Sequence, residues 1–168
     1  MKTLHLLRHA KSAWSLPQLA DHDRPLNKRG RRVAPQMGAA LASLDLSIDR
    51  VAVSSAARAQ LTVEAIAGAW PAFGALPVIT APDLYTFDAQ QLVQWLRKQE
   101  DSINSLFVIA HNPALTDLVN DLTAGHSLAN IPTAGYVRLC LDVEHWTRMA
   151  QGCATLQETL FPKQAGIK

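Results

Sequence analysis

What this sequence lacks excludes several classes of protein. It has only two cysteines, Cys140 and Cys153, in 168 residues. Without CxxC or zinc-type spacing they make neither a disulfide framework nor a metal knuckle, and they read as reduced thiols. No apolar run comes near the roughly 18 to 20 residues that span a bilayer. The opening MKTLHLLRHAKSAW puts His5, Arg8, His9 and Lys11 where a signal peptide needs an unbroken apolar stretch. The expected location is therefore the cytoplasm, with no membrane contact. A net charge of only +2 does not argue for nucleic acid. There is neither a Walker loop nor a G-x-G-x-x-G. A cysteine phosphatase needs Arg six residues after its Cys, and Trp146 and Thr159 stand at those places. An aspartyl-phosphate enzyme needs acids just past the first strand, where this chain has Arg8 and His9.

What is present is 48% apolar and 18% charged residues, over a length suited to one domain. No repeat, low-complexity tract or linker divides the chain, so residues 1–168 read as a single domain. Short apolar runs predict strands at 4–7, 51–54, 77–80, 106–110, 136–141 and 154–160. A helix is predicted over 27–44, with Val33, Met37, Leu41 and Leu44 on its apolar face and a kink or late start at Pro35. A second spans 58–70, with Leu61, Ala65 and Ala69 at spacing four. Asp88 reads as an N-cap with Gln91 completing a capping box, ahead of Leu92, Trp95 and Leu96. Asn112 reads as another, with Pro113 at the first helical position before Leu115, Leu118, Val119 and Leu122. This alternation predicts an α/β fold, a three-layer α/β/α sandwich around a mostly parallel central sheet.

Ligands of such sheets bind beyond the carboxyl ends of the strands. Arg8 and His9 follow the first strand. Ser54, Ser55 and then Arg58 follow the second, and His111 and Asn112 follow the strand at 106–110. Three segments thus bring two arginines and two histidines to one edge, where helix N-termini also point. Alone, each has a plainer reading: a satisfied strand-end histidine, or a charge on a helix surface. Together they make an anion site, because guanidinium forks match phosphate oxygens and helix N-terminal amides favour negative charge. A neutral His9 imidazole could attack phosphorus through one nitrogen while a backbone carbonyl holds the other. Repulsion from Arg8 and Arg58 would keep it neutral, and the same cations would stabilise the transition state. No metal or other cofactor is required.

The blocks around these residues resemble a known family. Leu6-Leu7-Arg8-His9-Ala10-Lys11-Ser12 resembles the Arg-His-Gly signature of the histidine phosphatase (phosphoglycerate mutase-like) superfamily, with Ala in place of Gly. His22-Asp23-Arg24-Pro25-Leu26-Asn27-Lys28-Arg29-Gly30, the stretch from Ser54 through Arg58 to Thr62, and Ala110-His111-Asn112-Pro113 match its further blocks in order. With the short length, the pattern is most similar to the SixA-type phosphohistidine phosphatases. The resemblance implies a phosphoglycerate mutase-like fold and a phosphohistidine intermediate on His9. It implies that Arg8, Arg58 and His111 act on the phosphoryl group, and that Arg24 and Asn112 add phosphate or substrate contacts. The superfamily often places an acid in the loop after the third strand, and here Thr86 falls at that point, which leaves the general acid unassigned. A phosphoramidate needs less acid help than an ester. The implied partner is a phosphorylated protein carrying phosphohistidine or a phosphorylated small molecule, handled by a monomer.

Other features stay open at this level. The basic run Lys28, Arg29, Arg31, Arg32 suits a solvated face or a docking patch for an acidic phosphoprotein. Lys11 and Trp14 suit the mouth of the site, and Trp14 equally suits packing. His5, His22, His126 and His145 carry no chemical pattern, and His5 reads as a packing residue. The rivals are a small-molecule phosphomonoesterase of the same superfamily and a non-catalytic phosphate-binding domain.

Overall fold

A computed structural model describes residues 1–124 and 128–168 of the chain, so His126 lies outside the described residues. Six strands form one sheet in the order β3-β2-β4-β1-β5-β6: β1 (Lys2–Arg8), β2 (Arg50–Ser54), β3 (Val78–Ala81), β4 (Ser105–Ala110), β5 (Tyr136–Leu141) and β6 (Ala154–Leu160). The first four in spatial order are parallel, and β5 runs against both of its neighbours. Registers of Arg8 with Ala110 and Val53 with Ile109 align the carboxyl ends of the parallel strands. Tyr136 pairs with Leu7, so the chain enters β5 at that same edge.

The alternating side chains of the strands build two cores. Leu4, Leu6, Leu106 and Val108 pack under α4 (Ala89–Arg97) and α5 (Ala114–Leu122). Leu7, Val51, Val53, Phe107 and Ile109 pack under α1 (Lys28–Ala42), α2 (Ala57–Ala69) and α3 (Pro71–Gly74). This is the three-layer α/β/α sandwich that the pattern predicts. Among the described residues, no helix is long and apolar enough to cross a membrane.

Four local expectations change. α1 starts directly after Asn27, whose side chain accepts from Gly30 N, and Pro35 lies inside the helix without delaying it. That cap and the buried face of Val33, Ala34, Met37 and Leu41 outweigh the lost proline hydrogen bond. α2 buries Arg58, Ala59, Thr62, Val63 and Ile66, and Leu61 is exposed. Apolar residues lie all round that helix, so spacing alone does not choose a face. Asp88 caps α4 at Gln90 N, but Gln91 accepts from the Thr86 hydroxyl, so the capping box does not form. Pro113, not Asn112, is the residue flanking α5. Asn112 still caps it from one place earlier, its Oδ1 accepting from the Thr116 amide at 3.1 Å and hydroxyl at 3.0 Å.

Candidate active site

The loop after β1 carries the first group. His9 is 6% exposed, and its Nδ1 donates to the Ala10 carbonyl at 2.8 Å. That bond puts the ring proton on Nδ1 and leaves the lone pair on Nε2. Arg58 Nε donates to that Nε2 at 3.3 Å. Burial first, then Arg58, Arg8 and Arg24, outweigh the Ala10 bond and lower the His9 pKa to about 4. The ring is therefore neutral at physiological pH, and dehydration contributes more than the like-charge repulsion expected from the sequence. The Ala10 amide donates to Thr62 Oγ1, which in turn donates to the Arg58 carbonyl, so the His9 loop is tied to α2.

His111, at the end of β4, is fully buried, with its ring centroid 5.1 Å from that of His9. Its Nε2 meets Ser54 Oγ at 2.7 Å, and Ser54 Oγ also accepts from Ala56 N. With the Ser54 hydroxyl hydrogen donated to Nε2, the ring proton sits on Nδ1, an atom with no partner. Burial, then His9 and Arg58, lower this histidine to about 3.

The arginines converge from three segments. Arg8 Nη1 donates to the Ile131 carbonyl, and Arg58 Nη1 to the Asp21 carbonyl. Arg24, 7% exposed, is therefore no surface charge; Trp14 stacks on its guanidinium at 3.5 Å. Five buried side-chain polar atoms among the described residues have no partner. Four of them are Arg8 Nε, Arg24 Nε, Arg24 Nη1 and His111 Nδ1. An unmade bond at a buried donor costs about 1–3 kcal/mol, so four donors left open around one imidazole fit a site that an oxyanion completes. The cleft measures about 310 Å³, with Lys11, Ser12, Trp14, Phe87 and Thr133 on its wall.

Sequence reasoning missed several members. Among the described residues, Asp21 is the one carboxylate lining the cleft. Its Oδ1 accepts from Arg24 at 2.7 Å, and its Oδ2 accepts from Arg58 at 3.0 Å and from the Tyr85 hydroxyl at 2.6 Å. Burial pushes its pKa up, but the bonds from Tyr85, Arg58 and Arg24 outweigh that and hold it at about 2. Its only sequence signal is its place three residues before Arg24. Ala134 sits at φ +59° and donates from its amide to the Arg8 and His9 carbonyls. No local pattern marks that strained clamp.

Some expected members stand elsewhere. Asn112 lines the cleft, but its amide donates to Asn130 Oδ1 and the Ile131 carbonyl, so it braces the acceptor of Arg8. Thr86 is engaged by Gln91 and Asp88, away from a proton donor's task. The basic run is exposed on the first turns of α1. Gly30 within it is dictated by contact: a Cβ there would meet the Lys11 carbonyl at 2.2 Å. Among the described residues, no three His, Cys, Asp or Glu side chains are grouped to hold a metal.

The family model of the histidine phosphatase superfamily (branch 1) matches residues 4–104, a span that contains Arg8, His9, Arg24 and Arg58. The chain belongs to the histidine phosphatase superfamily. A curated relative, the uncharacterized protein Rv1276c of Mycobacterium tuberculosis (strain ATCC 25618 / H37Rv), is 31% identical over 159 residues, covering 89% of this chain and 96% of the relative. The SixA structure from Agrobacterium tumefaciens superposes with a TM-score of 0.80 at 24% identity, covering 96% of this chain and 98% of that one. A structure of the protein histidine phosphatase SixA complexed with tungstate gives 0.78 at 24% identity, covering 96% and 97%. At such identities the likeness is one of fold, and it is the phosphoglycerate mutase-like α/β sandwich of this superfamily.

Proposed function

We propose that the chain, as one domain over residues 1–168, is a phosphatase that passes a phosphoryl group through His9, most readily from a protein-borne phosphohistidine. The observation that carries this reading is the set of four unpartnered donors on Arg8, Arg24 and His111 around a neutral His9. His9 Nε2 attacks phosphorus, and its Nδ1–H stays on the Ala10 carbonyl. Donors aimed at the equatorial oxygens stabilise the charge that spreads over them, each worth roughly 10²- to 10³-fold in rate. Water then attacks the phospho-imidazole, and His9 leaves as a neutral ring. The preference for a protein substrate is supported by the apolar rim, where Trp14 is 74% and Phe87 49% exposed, and by the fold shared with the SixA structures. Cleavage of a small phosphate ester is the second reading, favoured by a cleft volume that also suits a small molecule.

The test is rapid mixing with a phosphohistidine carrier protein or with a small ester, followed by mass spectrometry of acid-labile phosphate. Transient label on His9, absent from His9→Ala and fastest from the carrier, is the expected result. Label from the ester alone moves the substrate to small molecules. Bound phosphate with neither label nor turnover overturns the enzyme reading and leaves a phosphate-binding domain.

A further inference from the structure

An ionised carboxylate beside a cluster of arginines built for phosphate looks counterproductive. Asp21 spends its charge on Arg24, Arg58 and Tyr85, the first two being groups that a phosphoryl oxygen would also seek. Two tasks are available to it besides holding those side chains. Proton donation is excluded by its ionised state. Arg58 settles the geometry, because its Nε touches His9 Nε2 while its Nη2 touches Asp21 Oδ2. The carboxylate and the free nitrogen of His9 therefore share one guanidinium as neighbour. The carboxylate also lies outward of the nucleophile, since its side chain is 42% exposed and His9 is 6% exposed. In an in-line displacement the leaving group departs on the side away from His9, toward that mouth. Of the two carboxylate oxygens, Oδ2 already accepts two bonds and Oδ1 only one, so Oδ1 has an accepting position left.

We propose that Asp21 is a specificity-determining residue that accepts the ring N–H of an incoming phospho-imidazole and so favours phosphohistidine over phosphate esters. This rests on the reading of the site given above. When P–N bond cleavage sends its electron pair to the phosphorylated nitrogen, a ring already protonated on its other nitrogen leaves as neutral imidazole. The His9 Nε2 lone pair makes the new P–N bond, and no proton has to be delivered. An ester has no such N–H. Its alkoxide would depart beside a fixed negative charge and without an acid, so the same carboxylate disfavours it. This accounts together for the missing proton donor at Thr86 and for a carboxylate in a cationic cleft.

The test compares kcat/KM for a phosphohistidine-bearing carrier protein with that for 4-nitrophenyl phosphate in wild type, Asp21→Asn and Tyr85→Phe. Asp21→Asn keeps the size and the main-chain carbonyl that holds Arg58 Nη1. Loss of one charge-assisted hydrogen bond predicts that the ratio of carrier to ester falls by about tenfold or more in Asp21→Asn. Tyr85→Phe, which loosens the carboxylate but keeps its charge, shifts the ratio less. Equal losses on both substrates would make Asp21 a positioning residue only and overturn the proposal, as would an unchanged ratio. Melting curves separate either outcome from misfolding. His9 labelling with an unmoved ratio sinks only the Asp21 role; no labelling of wild type from either substrate sinks the site reading and this inference with it.

Discussion

The two ends of β1 carry similar residues and put them to opposite use. Toward the amino end, Lys2 and His5 are 2% and 1% exposed, yet every side-chain polar atom has a partner. Lys2 Nζ reaches the Asp101 and Ile103 carbonyls and Asn104 Oδ1. His5 Nδ1 meets the Tyr136 hydroxyl at 2.7 Å, its Nε2 meets Ser105 Oγ at 2.9 Å, and its ring packs beside those of Phe107 and Tyr136, which also pack on each other. At the carboxyl end, Arg8 and His9 are surrounded by donors without acceptors. Burial lowers His5 and His9 alike to about 4, so a shifted pKa does not separate them. Hydrogen-bond satisfaction does. A complete network marks a structural end of the strand, and an incomplete one marks a place left for a ligand.

His9→Ala separates the two ends of the strand most sharply. Loss of the proposed nucleophile should cut turnover by about 10⁴-fold or more. Its melting temperature should stay near that of wild type; a collapse of the fold would mean that His9 is as structural as His5. Next, Arg8→Ala and Arg24→Ala should each lower kcat/KM by roughly 10²- to 10³-fold. Both should also weaken phosphate binding in calorimetry, and unchanged affinity in either would remove that arginine from the anion site.

His5→Ala should do the reverse. It leaves the Tyr136 hydroxyl unpaired, takes one of two partners from the Ser105 hydroxyl and opens a cavity, for a loss of about 2–4 kcal/mol in urea unfolding. The folded fraction should keep its kcat. The smallest effect concerns pH. His5 and His9 titrate near 4 when folded, below the 6.5 of the unfolded chain, so the unfolded state binds more protons between those values. Stability is full above pH 6.5 and declines as pH falls toward 4, by up to about 1.4 kcal/mol per unit for each ring. His5→Gln should flatten this decline by about one proton without altering phosphate binding, as urea midpoints between pH 7.5 and 5 would show.

The strands and the edge carrying Arg8, His9, Arg58 and His111 were legible because apolar runs of strand length alternating with helices leave few topologies. Register then brings Arg8 level with Ala110. Asp21 was not legible, because its partners Arg58 and Tyr85 lie 37 and 64 residues away and an exposed Asp-His-Asp turn has no periodicity. The Ile131 carbonyl and the Ala134 amide were hidden for a related reason: backbone groups of a loop carry no side-chain signature. The face of α2 and the absence of a capping box at Gln91 escape the sequence because propensity and spacing are short-range rules. Packing against α1 decided the one, and the nearby Thr86 hydroxyl the other.

The α/β sandwich, the nucleophile candidate and most of its cationic surroundings are readable from the chain alone, because hydrophobic periodicity and strand-end placement are written in neighbouring residues. Only the tertiary structure decided which nitrogen of His9 is free, which donors lack partners and where the single carboxylate of the cleft sits. Those depend on hydrogen-bond distances of about 3 Å between segments far apart in the chain, and such distances exist only once the two cores have closed on the sheet.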